Sequence, residues 1–461
     1  HRDLHSFPTR RSSDLSQEQR IISAIDIGTT KIVALIGRIG DNGKIHILGK
    51  GDAFSVGVKR GVVLNIEKTV ESIRTAVDEA EEKAGLKIQD VYVGIAGQHI
   101  RSIRNRGYIN IDPKQDEIKM ADVNELIADA HRIPTDVGEE IIHVLPQTFI
   151  VDNETDIKNP VGMFGRRLEA NFHIVISQST AANNTKKCIT RAGMNVGKIF
   201  LEPLASAQAV LTEDEMEAGV AMIDIGGGTS DLAVYYDGII RHTAVIPFGG
   251  NIINNDIKKG CNILDRQAEA LKIQFGSAIA DRDMDNKIIT IPGISGRPPK
   301  EISCKFLAHI IQSRMEEIIA HVVYEIEACG FHDKLGAGIV ITGGGAMLKN
   351  LPQLVSFKTG YDVRIGYPVE YLTSDLRDNI NHPMYATGIG LLLKGNQESG
   401  AGKNCTVPME EKPEPSQDVA PVVSQEREKN VKKVAKEPKR NKFNDFLEKF
   451  SEFFEVDDQK M

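Results

Sequence analysis

The apolar residues of this chain form two kinds of pattern, short continuous runs and runs with helical spacing. Apolar runs at 21–27 and 32–39 flank a turn at 28–30, which predicts two strands joined by that turn. Apolar residues then recur with helical spacing over 66–84, and Gly85 follows them, which predicts a helix ended by a left-handed glycine. Strands and helices in this order indicate the α/β class.

The first hairpin has a second copy further along the chain. Apolar runs at 219–225 and 232–236 flank the glycine turn 226–228 with similar spacing. An internal repeat of this kind predicts two similar α/β lobes. Between the hairpins, residues 104–178 combine short strand signals with one apolar helical face, which we interpret as an inserted α+β subdomain.

The same patterns divide the whole chain into segments. Residues 1–20 lack an initiator Met and any apolar periodicity, so we interpret them as a non-native or disordered segment. Lobe one is predicted at 21–103 and, with its connecting helix, at 179–222, and the inserted subdomain lies between these parts at 104–178. Lobe two is predicted at 223–395, with an outer subdomain at about 262–332 and a return helix at 383–395. A linker at 396–442 and a terminal helix at 443–456 follow.

The end of the chain predicts a disordered linker followed by an amphipathic helix. Residues 396–442 contain no Ile, Leu, Phe, Tyr or Trp, so they cannot bury enough apolar surface to offset their ordering entropy. Six apolar residues then share one helical face, a pattern typical of helices that lie in a membrane interface. A core helix docked onto the lobes is the alternative. The six residues are Phe443, Phe446, Leu447, Phe450, Phe453 and Phe454.

The composition argues against several classes of protein and site. With 56 basic and 64 acidic residues among 461, the formal charge of −8 does not favour a general nucleic-acid binder. The five cysteines are scattered without a CxxC pair, so a zinc site or disulfide framework is not expected and a reducing cytosol fits best. No apolar run reaches the ~18 residues that a membrane-spanning helix needs.

The two hairpin turns carry the chemistry of a phosphate site. Asp26 and Asp224 end the strands that precede the turns, where each carboxylate could hold Mg²⁺ through water. Glycine turns let backbone N–H groups approach phosphate oxygens. Two ordinary glycine-rich hairpins are the alternative interpretation. The candidate phosphate residues are Gly28, Thr29, Thr30, Gly226, Gly227, Gly228 and Thr229.

A third glycine motif completes the pattern. The apolar run 339–342 leads into Gly343, Gly344 and Gly345, against whose backbone a nucleoside could lie. The chain has neither a Walker lysine motif nor a GxGxxG fingerprint, so P-loop and Rossmann folds lack support.

The ordered set of motifs resembles the actin-like ATPase superfamily. The resemblance covers about 21–394 and includes the stretches LEPLASA at 201–207 and YATGIG at 385–390, which match the two connecting helices. It implies the actin-like (ribonuclease H-like) two-lobed ATPase fold with ATP and Mg²⁺ as cofactors. It also implies catalytic roles for Glu202 and Asp224, with Glu202 orienting the attacking water. Glu269 and Lys272 would flank adenine and ribose, although an exposed helix pair is the alternative for those two.

Within that superfamily, the motifs and the tail are similar to bacterial cell division proteins. This resemblance implies a protein that polymerises on the cytoplasmic side of the inner membrane at the septum, anchors the tubulin-like protein FtsZ and recruits later divisome membrane proteins. Its other expected partner is an anionic lipid surface, with no nucleic acid. The alternatives are a PilM-like pilus platform protein and a small-molecule kinase. Residues 40–100 leave no room for the subdomain that supplies a catalytic lysine in relatives, so we expect at most slow ATPase activity.

Overall fold

The computed structural model describes residues 20–40, 43–293, 298–373, 380–398, 405–408 and 456–457. They form a two-lobed α/β fold with an inserted subdomain, which is the predicted fold class. The predicted segment 1–20 lies outside the described residues apart from Arg20, whose carbonyl oxygen accepts a hydrogen bond from the Ile39 amide.

Lobe one is built on a five-stranded sheet of order β12-β7-β1-β2-β3. Helix α1 packs directly on β3, because a Cβ atom at Gly51 would lie 1.8 Å from the Ala76 carbonyl oxygen. The Asn65 side chain accepts the Lys68 amide at the start of α1, and Gly85 ends the helix at φ 66°, as its sequence predicts. The elements are β1 Ile21–Ile27, β2 Lys31–Ile39, β3 Ile45–Phe54, β4 Val58–Lys59, β5 Val62–Val63, α1 Ile66–Ala84, β6 Leu86–Ile88, β7 Asp90–Ile95, α3 Ser179–Ala192, β12 Asn195–Leu201, α4 Glu202–Val210 and α5 Glu213–Ala218.

The inserted subdomain is a four-stranded antiparallel sheet of order β10-β9-β11-β8 with one helix on its apolar face. Phe172 and Leu126 lie at the centre of its core. Its strands are longer than the short apolar signals in the sequence, because polar residues alternate along their solvent face. The elements are β8 Ile100–Asn110, α2 Met120–Ala130, β9 Glu139–Val151, β10 Glu154–Ile157 and β11 Arg167–Gln178.

Lobe two repeats the hairpin of lobe one in a sheet of order β15-β14-β13-β18-β19. Its core continues into an outer layer formed by α7, β16, β17 and α8. The elements are β13 Val220–Ile225, β14 Ser230–Tyr236, β15 Ile239–Ile246, α6 Gly250–Cys261, α7 Asp265–Phe275, β16 Ile288–Ile291, β17 Lys300–Ser303, α8 Cys304–Cys329, β18 Ile339–Thr342, α9 Leu351–Thr359, β19 Val363–Ile365 and the return helix α10 Ala386–Glu398.

The predicted linker 396–442 is wrong at two places. Helix α10 continues to Glu398, and Thr406–Pro408 forms strand β20, which pairs with β6. Cys405 is buried there, and its amide donates to the Ile21 carbonyl oxygen. Backbone pairing holds this short segment on lobe one even though it lacks large apolar side chains.

Most of the predicted terminal helix 443–456, including all six apolar residues of its face, lies outside the described residues. The helix prediction is wrong at its last residue, because Val456–Asp457 forms strand β21, which pairs with Ile288 and Ile289 of β16. The backbone N–H and C=O groups of β16 provide that pairing. Within the described part of the chain, no helix combines the length and apolarity that a bilayer crossing requires.

Candidate functional site

The two glycine turns meet face to face between the lobes. A Cβ atom at Gly227 would lie 1.9 Å from Thr30 Oγ1, and one at Gly228 would lie 2.3 Å from Thr29 Oγ1. Both distances are far below a van der Waals contact, so a side chain at either position would displace the facing threonine. The sequence-predicted phosphate residues of the two hairpins are therefore brought together.

Helix α6 starts directly behind the second turn. The Gly250 and Asn251 amides donate to the carbonyl oxygens of Gly226 and Gly227, at 2.9 and 2.8 Å. These contacts hold the second turn on the first residues of the helix. The positive end of the α6 dipole therefore adds to the attraction of this turn for an anion.

A short hairpin that sequence reasoning missed touches both turns. At the tip between β4 and β5, the Gly61 amide donates to Thr29 Oγ1 at 3.1 Å, and the Arg60 Cα atom lies 3.0 Å from the Cβ position of Gly228. Arg60 has φ 50°, an unusual conformation for a non-glycine residue that costs conformational energy. The sequence signal is Arg60-Gly61 between Val58-Lys59 and the apolar pair Val62-Val63.

Four carboxyl groups lie behind the turns. Burial raises the pKa of Asp26 to about 7, an effect that Lys31 reduces and Asp224 increases. Burial also raises the pKa of Asp224, and burial together with neighbouring carboxylates raises the pKa values of Glu202 and Asp231 well above their usual range. Asp231, which we did not predict as a site residue, pairs directly with Asp224 across the hairpin. A bound cation would offset the repulsion between these four carboxyl groups, so the cluster favours one.

Asp224 is tied to both connecting helices. Its Oδ2 atom accepts hydrogen bonds from Ser206 Oγ of α4 at 2.6 Å and from Thr387 Oγ1 of α10 at 3.1 Å. The two hydroxyl oxygens lie 3.0 Å apart. The helices cross closely here, since a Cβ atom at Gly390 would lie 1.8 Å from the Ala205 carbonyl oxygen. The position of this carboxylate is therefore coupled to the positions of α4 and α10.

The residues present fit a magnesium ion held through water. Among the described residues, no three His, Cys, Asp or Glu side chains are arranged to ligate one metal ion directly. Asp231 Oδ1 is nevertheless buried with no hydrogen-bond partner in the described structure. Mg²⁺ keeps several of its waters when it binds beside carboxylates and phosphates, which suits this indirect arrangement.

The third glycine motif packs against the second turn. Gly343 has φ 82°, and a Cβ atom there would lie 2.2 Å from Asp224 Oδ1. At Gly345 a Cβ atom would lie 2.4 Å from Ile225 Cγ2. The backbone of Gly343, Gly344 and Gly345 is thus brought beside the carboxylate cluster, and Gly343 and Gly345 lack room for a side chain, whereas the Cβ position of Gly344 is open.

A cavity of about 550 Å³ adjoins the turns and includes two of the predicted residues, Thr30 and Glu269. Lys272 Nζ lies 2.8 Å from Glu269 Oε2 and 3.3 Å from the Gly250 carbonyl oxygen, and the Asn254 amide also donates to Glu269. These contacts make Glu269 and Lys272 a partly buried pair rather than an exposed one. The lining residues are Thr30, Phe54, Asn251, Asn254, Leu264, Asp265, Arg266 and Glu269.

Comparison with known proteins decides the family. The family described as "Cell division protein FtsA" matches residues 221–390, and the one described as "SHS2 domain inserted in FTSA" matches residues 97–176. The chain is 40% identical to the cell division protein FtsA of Pseudomonas aeruginosa, over 85% of this chain and 93% of that one. It is 43% identical to the FtsA of Neisseria meningitidis, over 84% of this chain and 95% of that one.

The chain belongs to the FtsA family. Its similarity to the FtsA of Escherichia coli is 34% identity over 82% of this chain and 91% of that one. Among solved structures, the PilM-PilN type IV pilus biogenesis complex matches with a TM-score of 0.59 and 15% identity, over 81% of this chain and 98% of that one. That likeness supports the fold only, whereas the FtsA relatives carry the cell division assignment.

Proposed function

We propose that this FtsA-family chain binds ATP with Mg²⁺ between its lobes and links FtsZ to the cytoplasmic membrane at the division septum. The observation that carries the nucleotide part is the contact between the two glycine turns, with buried carboxylates behind them and a cavity of about 550 Å³ beside them. The membrane, FtsZ, polymerisation and divisome parts rest on family membership and on the sequence of the tail.

Different residues would contact different parts of the nucleotide. The two glycine turns would hold the phosphates, while Glu269, which lines the cavity, and Lys272, which donates a hydrogen bond to Glu269, would lie on the nucleoside side. Asp26 and Asp224 hold the ion's waters, and a bound Mg²⁺ neutralises phosphate charge and orients the phosphate chain. Glu202, the first residue of α4, is the candidate for orienting water.

One experiment tests the three parts together. Liposome co-sedimentation of the full chain is measured with and without Mg·ATP and with added FtsZ. We expect the chain to sediment with anionic liposomes and FtsZ to sediment with the chain. We expect ATP to increase the amount of both proteins in the pellet. A chain that stays in the supernatant would refute the membrane part, and one that sediments without FtsZ would refute the adaptor part.

Gly228→Val is expected to weaken ATP binding about tenfold, because the side chain would separate the two turns at Thr29. Gly238→Ala is the control, since it strains the backbone at φ 74° but its Cβ position is in open space, at the opposite end of β14 from the turns. Calorimetric titration with Mg·ATP and thermal unfolding measure both variants. Equal ATP affinities for Gly228→Val and the unchanged chain would show that the turns need not meet.

ATP turnover is expected to be far below the ~10 s⁻¹ of a typical enzyme. Burial and neighbouring carboxylates raise the pKa of Glu202, which favours its protonated form, and a protonated carboxyl group cannot take a proton from water unless a cation first restores the carboxylate. Phosphate release at saturating Mg·ATP measures the rate. A rate near the typical value would contradict this expectation and favour the kinase or ATPase interpretation.

The FtsZ-binding surface is proposed to lie on the outer subdomain, about 262–332. Charge reversals at two exposed residues there, Lys287→Glu and Glu301→Lys, are expected to weaken FtsZ binding at least fivefold and to leave ATP affinity unchanged. Glu125→Lys, exposed on α2 of the inserted subdomain, is the matched control. Loss of FtsZ binding in the control variant, or on deletion of residues 104–178, would place the surface on the other lobe.

A further inference from the structure

Lys31 is a charged residue on the cleft side of lobe one that the assignments above do not use. It follows Thr30 of the first turn and pairs across the sheet with Phe54, and both of these neighbours line the cavity of about 550 Å³. In antiparallel pairs, directly opposite residues share a face, and so do residues two apart on one strand. Asp26 is opposite Val33, so the Lys31 side chain lies on the same face of the sheet as Asp26.

The Lys31 ammonium group is shielded from water without a hydrogen-bond partner. Its Nζ atom is buried and has no acceptor among the described residues. The nitrogen lies 3.9 Å from the centre of the Tyr385 ring, at the start of the return helix. A cation over an aromatic ring is attracted to it, but all three N–H donors remain unused. A buried donor without an acceptor is costly, which points to an acceptor that a ligand brings.

Lys50, a second lysine beside the Tyr385 ring, has the hydrogen-bond acceptor that Lys31 lacks in the part of the chain that the structure describes. Lys50 Nζ lies 4.6 Å from the Tyr385 ring centre, donates to the Tyr385 hydroxyl at 3.1 Å and lies 3.4 Å from Asp52 Oδ2. Lys50 therefore has the anion and the acceptor that a buried lysine needs within the protein. Lys31 has the same ring and the longer-range attraction of Asp52 and Asp26, but it has no hydrogen-bond acceptor within the described structure.

We propose that the Lys31 ammonium group donates hydrogen bonds to phosphate oxygens of the bound nucleotide. This inference rests on the proposed function. It gives a phosphate-binding role to a lysine of the first hairpin. Charge-assisted hydrogen bonds to phosphate are among the stronger polar contacts, and they are stronger where water is excluded. Lys31 would also offset part of the repulsion between the phosphates and the carboxylates of Asp26 and Asp224.

The test compares the full-length Lys31→Met variant with the matched variant Lys50→Met. Each is titrated with Mg·ATP by calorimetry and with adenosine by ligand-observed NMR, which reads millimolar binding. We expect Lys31→Met to lose at least tenfold in ATP affinity, with adenosine affinity within twofold of the unchanged chain. Lys31→Arg should recover part of the ATP affinity, and Lys50→Met should bind ATP within threefold of the unchanged chain.

Three results would overturn the inference. They are an unchanged ATP affinity in Lys31→Met, an equal loss for ATP and adenosine, and an equal loss of ATP affinity in Lys50→Met. An unchanged chain that binds no ATP would instead refute the proposed function itself. Circular dichroism checks that the variants fold, and if Lys31→Met does not fold, Lys31→Gln takes its place with the same expected loss.

Discussion

Asp224→Asn is expected to reduce Mg²⁺-dependent ATP affinity about 100-fold, since hydrogen bonds to charged groups contribute roughly 1.5–3 kcal/mol each. The carboxylate is buried, opposite Asp231, and its Oδ2 accepts hydroxyls from both connecting helices. Asparagine keeps the size and an acceptor for Ser206, so the lobes should remain joined as before. What the substitution removes is the negative charge that attracts the ion.

The measurement separates the ion from the nucleotide. ATP is titrated into the unchanged chain and the variant with Mg²⁺ and again with EDTA. We expect the ATP affinities of the unchanged chain and the variant to differ in the presence of Mg²⁺ and to be equally low in the presence of EDTA. Asp214→Asn, on the exposed side of α5, is the control and should behave as the unchanged chain. Equal Mg²⁺-dependent affinities for the unchanged chain and Asp224→Asn would remove the proposed role of this carboxylate.

Phe450→Glu is expected to reduce binding to anionic liposomes by more than 100-fold at any salt concentration. Phe450 lies near the centre of the apolar face in the predicted terminal helix, which is outside the described residues. Burying a Phe side chain contributes up to ~3 kcal/mol, and placing an unpaired charge in the acyl boundary is costly in addition. Both effects act against insertion of the helix.

The basic linker provides the matched comparison. Residues 427–442 carry eight basic and two acidic residues, whereas 443–461 carry two Lys and six acidic residues. We therefore expect the linker to attract anionic lipid, at ~1 kcal/mol per basic residue, and the phenylalanines to insert. Neutralising the basic run should weaken binding to anionic liposomes and flatten its salt dependence, with little effect on neutral ones. The residues to neutralise are Lys432, Lys433, Lys436, Lys439, Arg440 and Lys442.

A liposome titration of both variants at two salt concentrations distinguishes the two contributions. If Phe450→Glu still binds while the neutralised linker does not, the helix is not the anchor and the basic run alone holds the protein. If both variants bind as the unchanged chain does, another part of the protein reaches the membrane.

The sequence alone determined the fold class and the order of the motifs. Both hairpins could be predicted because their buried strands are continuous apolar runs and their turns are glycine or threonine. Helix α1 could be predicted with both ends, because Asn65 and Gly85 are local signals that act within one turn of the helix. Local signals of this kind need no knowledge of distant neighbours.

Only the tertiary structure decided which residues share the site. Asp231, Lys31 and the Arg60-Gly61 tip become candidates because strand pairing and lobe contact place them beside the glycine turns. The burial and the shifted pKa values of Asp231 and Lys31 depend on residues that are distant in the sequence, such as Asp26 in the case of Asp231. The same is true of β20, which has little apolar residue content and is held by backbone pairing to β6. Contacts between distant segments leave no periodic mark in the sequence, so the pattern of residues could not reveal them.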